Sequence, residues 1–178
     1  MLPEVRSGDI NKKYTGNNTY MSNKFLEKIV INAGIGRLSQ VPHFKDKVLP
    51  EIMNELALIA GQRGAVRRAK ISISNFKIRE GDAVGIQITL RGKKMNDFFI
   101  KLNNIIFPRV KDFRGIDTGC VDKMGNLNVG FRDQYVFPEI DADRSTTSFG
   151  FQITIVPIVK NRDKAIDFYR SSNVPLKS

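Results

Sequence analysis

The stretch between residues 61 and 94 concentrates the side chains of this sequence that could bind a polyanion. Nine of its side chains are cationic, and only Glu80 and Asp82 are acidic. Guanidinium and ammonium groups form charge-assisted hydrogen bonds with phosphate oxygens, so this composition favours a phosphate-rich partner. A run of charges is often only a solvated face, but these charges span several elements that fold together, which favours a binding surface. The nine cations are Arg63, Arg67, Arg68, Lys70, Lys77, Arg79, Arg91, Lys93 and Lys94.

The composition is that of a globular protein with a strong excess of positive charge. The chain has 178 residues, 41% of them hydrophobic, which is enough for one domain with a buried core. We predict a polar N-terminal arm over residues 1–23 and a single RNA-binding domain over residues 24–178. The net charge of +11 favours nucleic acid as the partner, with an anionic membrane surface or simple solubility as the alternatives. No apolar run approaches the roughly 18 residues of a membrane-spanning helix, so no segment is predicted to span a membrane. With nucleic acid as the favoured partner, we expect no membrane partner.

Enzyme sites are disfavoured by the scarcity of histidine and cysteine. The chain has one of each, His43 and Cys120, so a Cys/His zinc site cannot be assembled and a catalytic triad would depend on His43 alone. The glycines at 34 and 36 resemble a dinucleotide-binding loop, but Ser39 occupies the place of its third glycine. The acids at 139–143 are more typical of a solvated turn than of a magnesium site. We predict no catalytic residue, no metal and no cofactor.

The cationic stretch has the pattern of a β-hairpin. Apolar and polar residues alternate from Val84 to Arg91, which predicts a half-buried second arm. The first arm is predicted from Arg67 through Ile73, with a change of phase at Ser74 that indicates a bulge or the start of a loop. Asn75 to Asp82 is then the connecting loop.

Amphipathic segments on either side of the hairpin predict an α+β fold. Together they predict an antiparallel β-sheet with amphipathic helices packed on one face and the opposite face open for RNA. Gly61 is expected to end the first helix, Pro108 the second, and Asn161 is expected to cap the third. The predicted strands cover 28–37, 127–137 and 148–159, the predicted helices cover 45–60, 94–107 and a short segment after 161, and long loops cover 109–125 and 139–147.

The open face of this sheet is predicted to be polar. Strand alternation places on it side chains that form hydrogen bonds, with few acids and little bulk, so the face is free for water or for a partner. They are Asn32, Gln87, Thr89, Arg91, Gln152 and Thr154.

Two further features have more than one interpretation. Gly61 to Gly64 has the GxxG pattern of a KH phosphate clamp, but a KH clamp lies between two helices and here a strand is predicted to follow. We therefore keep only the expectation that this turn contacts backbone phosphate. Phe76 and Phe113 lie in basic loops and could stack on bases. Core packing is equally consistent with the pattern around Phe76, and the sequence does not decide for Phe113.

Four short motifs give the chain a resemblance to a known family. Asn-Phe-Lys-Ile-Arg at 75–79, Thr-Leu-Arg-Gly at 89–92, Asp-Phe-Arg-Gly at 112–115 and Phe-Pro-Glu-Ile-Asp at 137–141 occur in this order. From about Lys28 to Lys160 the chain resembles the bacterial-type large-subunit ribosomal proteins that bind 5S rRNA, the L-five family. It departs from that pattern in its Asn-rich N-terminal arm and at 120–124.

The resemblance implies a non-enzymatic constituent of the large ribosomal subunit in the central protuberance. The ribosome would be that of a bacterial cytoplasm or of an organelle matrix. The implied partners are 5S rRNA, large-subunit rRNA, P-site tRNA, neighbouring ribosomal proteins of the central protuberance and a small-subunit head protein. A stand-alone RNA-binding module and a basic enzyme acting on nucleic acid are the rival hypotheses.

The resemblance, the polar face and the cationic stretch together define three groups of candidate site residues. In the family the 5S contact centres on positions that match Asn32, Gln62 and Thr89. The full set expected at 5S rRNA is Asn32, Gln62, Arg63, Arg67, Arg68, Gln87, Thr89 and Arg91. The loop that connects the two predicted arms, with Ser74, Asn75, Lys77 and Arg79, is expected to face P-site tRNA. Arg109, Lys111 and Arg114 are expected on the side of the small subunit.

Overall fold

The computed structural model describes residues 25–177, and the predicted arm at 1–23 lies outside the described residues. Five strands form one fully antiparallel sheet in the order β2-β3-β1-β5-β4. The central strand β1 pairs with β3 on one side and with β5 on the other, so the two hairpins β2–β3 and β4–β5 flank it. The strands are β1 (Leu26–Gly34), β2 (Ala65–Arg68), β3 (Ala83–Leu90), β4 (Leu127–Phe131) and β5 (Phe151–Pro157).

Three helices cover one face of the sheet. They are α1 (Leu49–Ala60), α2 (Gly92–Lys101) and α3 (Arg162–Ser171). A π-helical turn, Phe44–Val48, leads directly into α1, and Pro50 is the second residue of that helix. None of the helices within residues 25–177 is long and apolar enough to cross a membrane.

The predicted helix ends at Gly61 and Asn161 are confirmed. Gly61 has a φ of 68° and donates its N–H to the Ala57 carbonyl, which ends α1 with the left-handed residue that glycine adopts without strain. Asn161 accepts a hydrogen bond from the Lys164 N–H at 3.0 Å and so caps the first turn of α3.

The core lies between the sheet and the helices, as the α+β prediction requires. Alternate residues of the central strands, such as Ile29, Ile31 and Ile88, are fully buried. The helices contribute apolar side chains to the same cluster, and Tyr169 of α3 donates its hydroxyl to the Ile155 carbonyl of β5 at 3.3 Å. The residues between them in sequence therefore form the other face.

The prediction that Pro108 ends the second helix is wrong. The chain continues from α2 through a π-helical turn, Leu102–Ile106, into a final α-helical turn, Phe107–Arg109. Pro108 lies within that last turn, and the helical backbone ends one residue later, at Arg109.

The predicted extent of the first hairpin arm is also wrong. Strand β2 ends at Arg68, and the hydrogen-bond ladder shifts register between Arg67 and Arg68. Ile71 and Ile73 are 67% and 40% exposed, so they have no buried face that would hold a regular strand. Residues 69–82 instead form an irregular loop, which we call the hairpin loop, with a 3-10 turn at Ser74–Phe76.

The strand predicted to continue from Arg132 to Phe137 is a turn, and the side chain of Gln134 in this turn is buried in the core. Its amide is 0% exposed and donates to Glu55 Oε2 at 3.1 Å and to the Thr147 carbonyl at 2.8 Å. Its oxygen accepts from the Phe149 N–H at 3.1 Å. These bonds replace a strand ladder, so β4 ends at Phe131. The predicted strand at 148–159 forms over Phe151–Pro157 only.

Candidate nucleic-acid interface

The face of the sheet opposite the helices carries two rows of side chains that form hydrogen bonds. In one row, Gln152, Asn32 and Gln87 are direct cross-strand neighbours. In the next row, Asn128 pairs with Thr154, and Val30 lies between Thr154 and Thr89. We call this surface the polar face. Its polar members are Asn32, Gln87, Thr89, Asn128, Gln152 and Thr154.

Asn128 was missed by the sequence analysis, although it belongs to the alternating segment 127–131. Its Oδ1 accepts from Gln152 Nε2 at 3.0 Å and from Thr154 Oγ1 at 2.8 Å. These bonds hold the β4–β5 half of the polar face in place. Asn32 is exposed, and its side chain has no hydrogen-bond partner among residues 25–177. Its amide donors and acceptor are therefore available to a ligand.

The turn after α1 places Gln62 beside the backbone of β3. Gln62 Nε2 donates to the Thr89 carbonyl at 2.8 Å, which joins this turn to β3. A Cβ on Gly64 would lie 2.6 Å from Ile86 Cγ2, so only glycine allows the chain to approach β3 this closely. The positive φ of Gly61 and the close packing at Gly64 account for both glycines of the GxxG pattern. The structure thus places Gln62 beside Thr89, with Asn32 on the adjacent strand.

The arginines predicted at the RNA surface lie at the β2–β3 side of the polar face. Arg67 donates from Nε to Gln87 Oε1 at 2.8 Å and also from Nη2 to the same oxygen, so its guanidinium lies against the polar row. Arg68 donates to the Gly81 carbonyl at 2.9 Å, which ties β2 to the hairpin loop. Arg63 and Arg91 are exposed. Within the described part of the chain, none of these four arginines forms an ion pair.

Among residues 25–177, several acids are engaged away from the polar face. Glu139 pairs with Lys101 of α2 at 3.0 Å, and Glu51 of α1 accepts hydrogen bonds from Thr146. No carboxylate belongs to the two rows of the polar face as the described residues form them. Among residues 25–177, no group of three or more His, Cys, Asp or Glu residues is placed to hold a metal ion.

The hairpin loop lies next to one end of the polar face. Gln40 Nε2 donates to the Phe76 carbonyl at 3.0 Å and fixes the loop against the segment after β1. Between the loop and the sheet is a cleft of about 980 Å³, which we call the first cleft. Phe76 is 64% exposed at this cleft, which excludes the core-packing interpretation of that residue. The four loop residues predicted to face tRNA, Ser74, Asn75, Lys77 and Arg79, are all exposed.

Two of the three residues predicted on the small-subunit side share a second cleft. Arg109 and Lys111 line a cleft of about 740 Å³ between the end of the second helix and the edge strand β4. Arg114 is exposed but does not line this cleft. Phe113 is half-buried, and its ring stacks on the ring of Phe107 with a centroid distance of 5.7 Å. Phe113 therefore packs against the core and is not a free stacking platform.

Comparison with known proteins identifies the family. The family model described as "Ribosomal protein L5" matches residues 20–79, and the model of the C-terminus of the same ribosomal family matches residues 83–176. The large ribosomal subunit protein uL5 of Halothermothrix orenii is 40% identical over 150 residues, covering 84% of this chain and 82% of that protein. The corresponding protein of Desulfotalea psychrophila is 45% identical over 152 residues, covering 85% of this chain and 83% of its own. The large ribosomal subunit protein uL5c of Oltmannsiellopsis viridis is 41% identical over 153 residues, covering 86% and 83%.

These matches cover the sheet, its helices and both clefts. They exclude the enzyme and stand-alone-module hypotheses, because the relatives are constituents of ribosomes of bacteria and of a chloroplast. The chain therefore belongs to the ribosomal protein L5 family, as a structural, non-enzymatic and RNA-associated constituent of the large ribosomal subunit in bacteria or organelles.

Proposed function

We propose that the polar face of this ribosomal protein binds 5S rRNA. The observation that carries this proposal is the composition of the face: six amide or hydroxyl side chains in two cross-strand rows, without a carboxylate and beside four arginines that form no ion pair in the described chain. Amide and hydroxyl groups read base edges and the 2′-hydroxyls of RNA, while arginines bind phosphates.

Within this surface, Asn32, Gln62 and Thr89 form the centre of the proposed contact. Asn32 is exposed and Thr89 is half-buried on the adjacent strand. Gln62 uses one of its two amide hydrogens on the Thr89 carbonyl, so its oxygen and its second N–H are proposed to contact RNA. The arginines at 63, 67, 68 and 91 supply the sequence-independent part of the affinity. Gln87 holds Arg67 in place.

The hairpin loop is proposed to contact P-site tRNA during translation. Its cations Lys77 and Arg79 are exposed. They lie between β2 and β3, at the tip of the hairpin, whereas the turn after α1 precedes β2 at the other end. The second cleft, with Arg109 and Lys111, is proposed to face a protein of the small-subunit head, and Arg114 is proposed to lie on the same side. These two contacts, with large-subunit rRNA and the neighbouring proteins of the central protuberance, complete the proposed set of partners.

The direct test is recovery of the bound RNA. The full chain is purified from cells under low salt, and the RNA that copurifies with it is sequenced and then titrated back in purified form. We expect 5S rRNA to be enriched over other small RNAs and to remain bound when bulk tRNA is added as a competitor. Recovery of RNA without enrichment of 5S rRNA would contradict the proposed specificity, although the protein's place in the large subunit would stand.

A further inference from the structure

The second cleft has two rims that are held in different ways. The first rim carries Arg109 and Lys111 and continues directly from the last helical turn, Phe107–Arg109. The opposite rim is formed by residues 132–136, which follow the end of β4 and belong to no strand or helix. We call these residues the loop rim. Four of the five line the cleft, and the one that does not is Gln134.

The side chain of Gln134 holds the loop rim from inside the fold. Its Nε2 donates to Glu55 Oε2 of α1 at 3.1 Å, to Ser145 Oγ at 3.1 Å and to the Thr147 carbonyl at 2.8 Å. Its Oε1 accepts from the Phe149 N–H at 3.1 Å. Two amide hydrogens are therefore shared among three acceptors. We call this network the Gln134 clasp, and it joins both ends of the connection between β4 and β5 to α1.

The Gln134 clasp is directional, which distinguishes it from ordinary core packing. Burial of an apolar side chain is favourable in many orientations, because the hydrophobic effect has no preferred direction. A buried amide is unfavourable unless its polar atoms are paired, so the network specifies one placement of Gln134. Asp133 and Tyr135 are its direct neighbours in sequence, and both line the cleft. The placement of Gln134 therefore fixes the backbone from which these two side chains extend.

Two further contacts attach the same segment to the helix layer. The backbone N–H and the hydroxyl of Thr146 donate to the Glu51 carboxylate of α1 at 2.7 and 2.6 Å. The Phe137 N–H donates to the Gln134 carbonyl at 3.1 Å, and the Phe137 side chain is fully buried. The loop rim is thus fastened to α1, although it borders the edge of the sheet.

We infer that Gln134 is a positioning residue for the partner of the second cleft, because its buried amide holds the loop rim in the geometry that the partner meets. This inference rests on the proposed contact between the second cleft and a protein of the small-subunit head. A rim that is already in place does not have to be ordered on binding. If the rim were in the binding conformation only about a tenth of the time, the apparent Kd would be about tenfold higher.

The first arm of the experiment measures the placement of the rim in the free chain by amide hydrogen exchange. Gln134→Leu removes the clasp and keeps a side chain of similar size. The N–H groups of Phe137 and Thr146 are the reporters, since their acceptors, the carbonyl of residue 134 and the Glu51 carboxylate, remain in the variant. We expect these two groups to exchange about five- to a hundredfold faster, with a much smaller change in β1 and β3.

Ile88→Ala is the matched control for a general loss of stability. Ile88 lies on β3, which is separated from β4 by β1 and β5. This variant should raise exchange in β1 and β3 at least as much as at the loop rim. If Gln134→Leu also raises exchange evenly over the sheet and the rim, the amide only stabilises the core and the inference is overturned. Ser145→Ala removes a single acceptor of the clasp, so it should give the rim pattern at a smaller size and decides the point if Gln134→Leu does not fold.

The second arm measures binding of wild-type small subunits to large subunits reconstituted with each variant, by light scattering. Gln134→Leu should raise the Kd about tenfold, as Tyr135→Ala should by removing a side chain of the rim, whereas Ile88→Ala should leave it unchanged. A normal Kd for Tyr135→Ala and for the double variant Arg109→Ala with Lys111→Ala would contradict the proposed small-subunit contact, while the exchange measurement still decides whether the clasp holds the rim. A raised Kd for Tyr135→Ala together with a normal Kd for Gln134→Leu would overturn the positioning role.

Discussion

Neighbouring residues of one strand differ completely in what their side chains contact. Ile88 is fully buried under the helices, whereas Thr89, the next residue, has its side chain on the polar face. Asn32 and Ile31 are related in the same way on β1. RNA binding and folding are therefore assigned to alternate residues of the same strands, and single substitutions should separate the two properties.

Asn32→Ala and Thr89→Ala should weaken 5S binding without unfolding the protein. Surface truncations change the free energy of unfolding by less than about 0.5 kcal/mol, so thermal melts should be near those of wild type. A hydrogen bond lost from a dry RNA interface leaves its partner unpaired and costs roughly 1–3 kcal/mol of binding. A melt of the free protein and a 5S titration are measured for each variant.

Ile88→Ala is the matched control, because it shortens the neighbouring side chain on the other face. Creating a cavity in the core costs about 2–5 kcal/mol of stability, so this variant should melt many degrees earlier. If Asn32→Ala and Thr89→Ala melt as early as Ile88→Ala, the assignment of the two faces is wrong.

Gln134→Leu tests the buried amide that replaces the predicted strand extension. In the wild type, burial raises the pKa of Glu55, hydrogen bonds from Ser145 and Gln134 oppose that rise, and the nearby charge of Glu51 adds to it. Removing the Gln134 donor should raise the pKa of Glu55 further. A carboxyl with a raised pKa binds its proton more tightly in the folded state, so its contribution to stability is present below the unfolded pKa, near 4.5, and is lost as pH rises through the folded value.

The measurement for Gln134→Leu is a set of thermal melts at several pH values between about 4.5 and 7. The variant should lose more stability over this range than the wild type does, in addition to a loss at every pH from the unpaired Phe149 N–H. The double variant with Glu55→Gln should remove the extra pH dependence and keep the constant loss. A pH dependence equal to that of wild type would contradict the role assigned to the Gln134–Glu55 hydrogen bond.

At the level of elements, a strand was predicted correctly where its alternating apolar residues are covered by the helices. Strand β3 forms nearly as predicted because its apolar residues face the helices. Residues 71–73 alternate as well, but Ile71 and Ile73 are exposed, and alternation alone does not reveal whether another layer covers a strand. The turn at 132–137 depends on hydrogen bonds between Gln134 and residues more than ten positions away, which no local pattern contains.

In the candidate site, too, the parts that depend on a local pattern were predicted and the parts that depend on distant contacts were not. The polar residues of the central strands followed from alternation, and family resemblance supplied Gln62. The first cleft could not be predicted, because it depends on where the hairpin loop folds relative to the end of β1. The Gln40–Phe76 hydrogen bond joins residues 36 positions apart and fixes that placement.

The hairpin loop gives a prediction at this scale: Lys77→Ala with Arg79→Ala should leave 5S binding intact and weaken retention of P-site tRNA. Neither residue lines the first cleft, and both are exposed away from the polar rows. The Arg79 N–H donates to the Asp82 carboxylate through the backbone, so truncating the side chain keeps the turn. Subunit assembly, 5S affinity and tRNA retention are measured on reconstituted ribosomes.

Lys160→Ala is the control for loss of charge, because its ammonium already pairs with Glu27 at 3.1 Å. It should change neither 5S affinity nor tRNA retention. A double loop variant that loses 5S binding while its tRNA retention is normal would show that the hairpin loop belongs to the 5S contact.

At the level of the whole molecule, the charges are distributed unevenly. The chain carries a net charge of +11, yet several of its acids are occupied by partners within the fold, as Glu27, Glu51 and Glu139 are. Within residues 25–177, the arginines beside the polar face are not neutralised in this way. Such a distribution concentrates positive potential on the face that also carries the hydrogen-bonding groups, so the phosphate contacts and the base contacts should form together.

The affinity for 5S rRNA should therefore fall linearly with salt concentration on logarithmic axes. Each phosphate that an arginine or lysine neutralises releases condensed counterions, and added salt opposes that release. If about six phosphates are engaged, the affinity should fall about a thousandfold between roughly 50 and 200 mM salt.

Arg63→Ala and Arg67→Ala should each reduce the slope of log affinity against log salt by about one. Lys160→Ala should leave that slope unchanged, since the charge of Lys160 is already paired. Asn32→Ala should lower the affinity by a similar factor at every salt concentration, because an amide releases no counterion. A wild-type affinity independent of salt would contradict the phosphate contacts, and a slope that changes equally in all these variants would show that net charge, and not the placement of the arginines, governs binding.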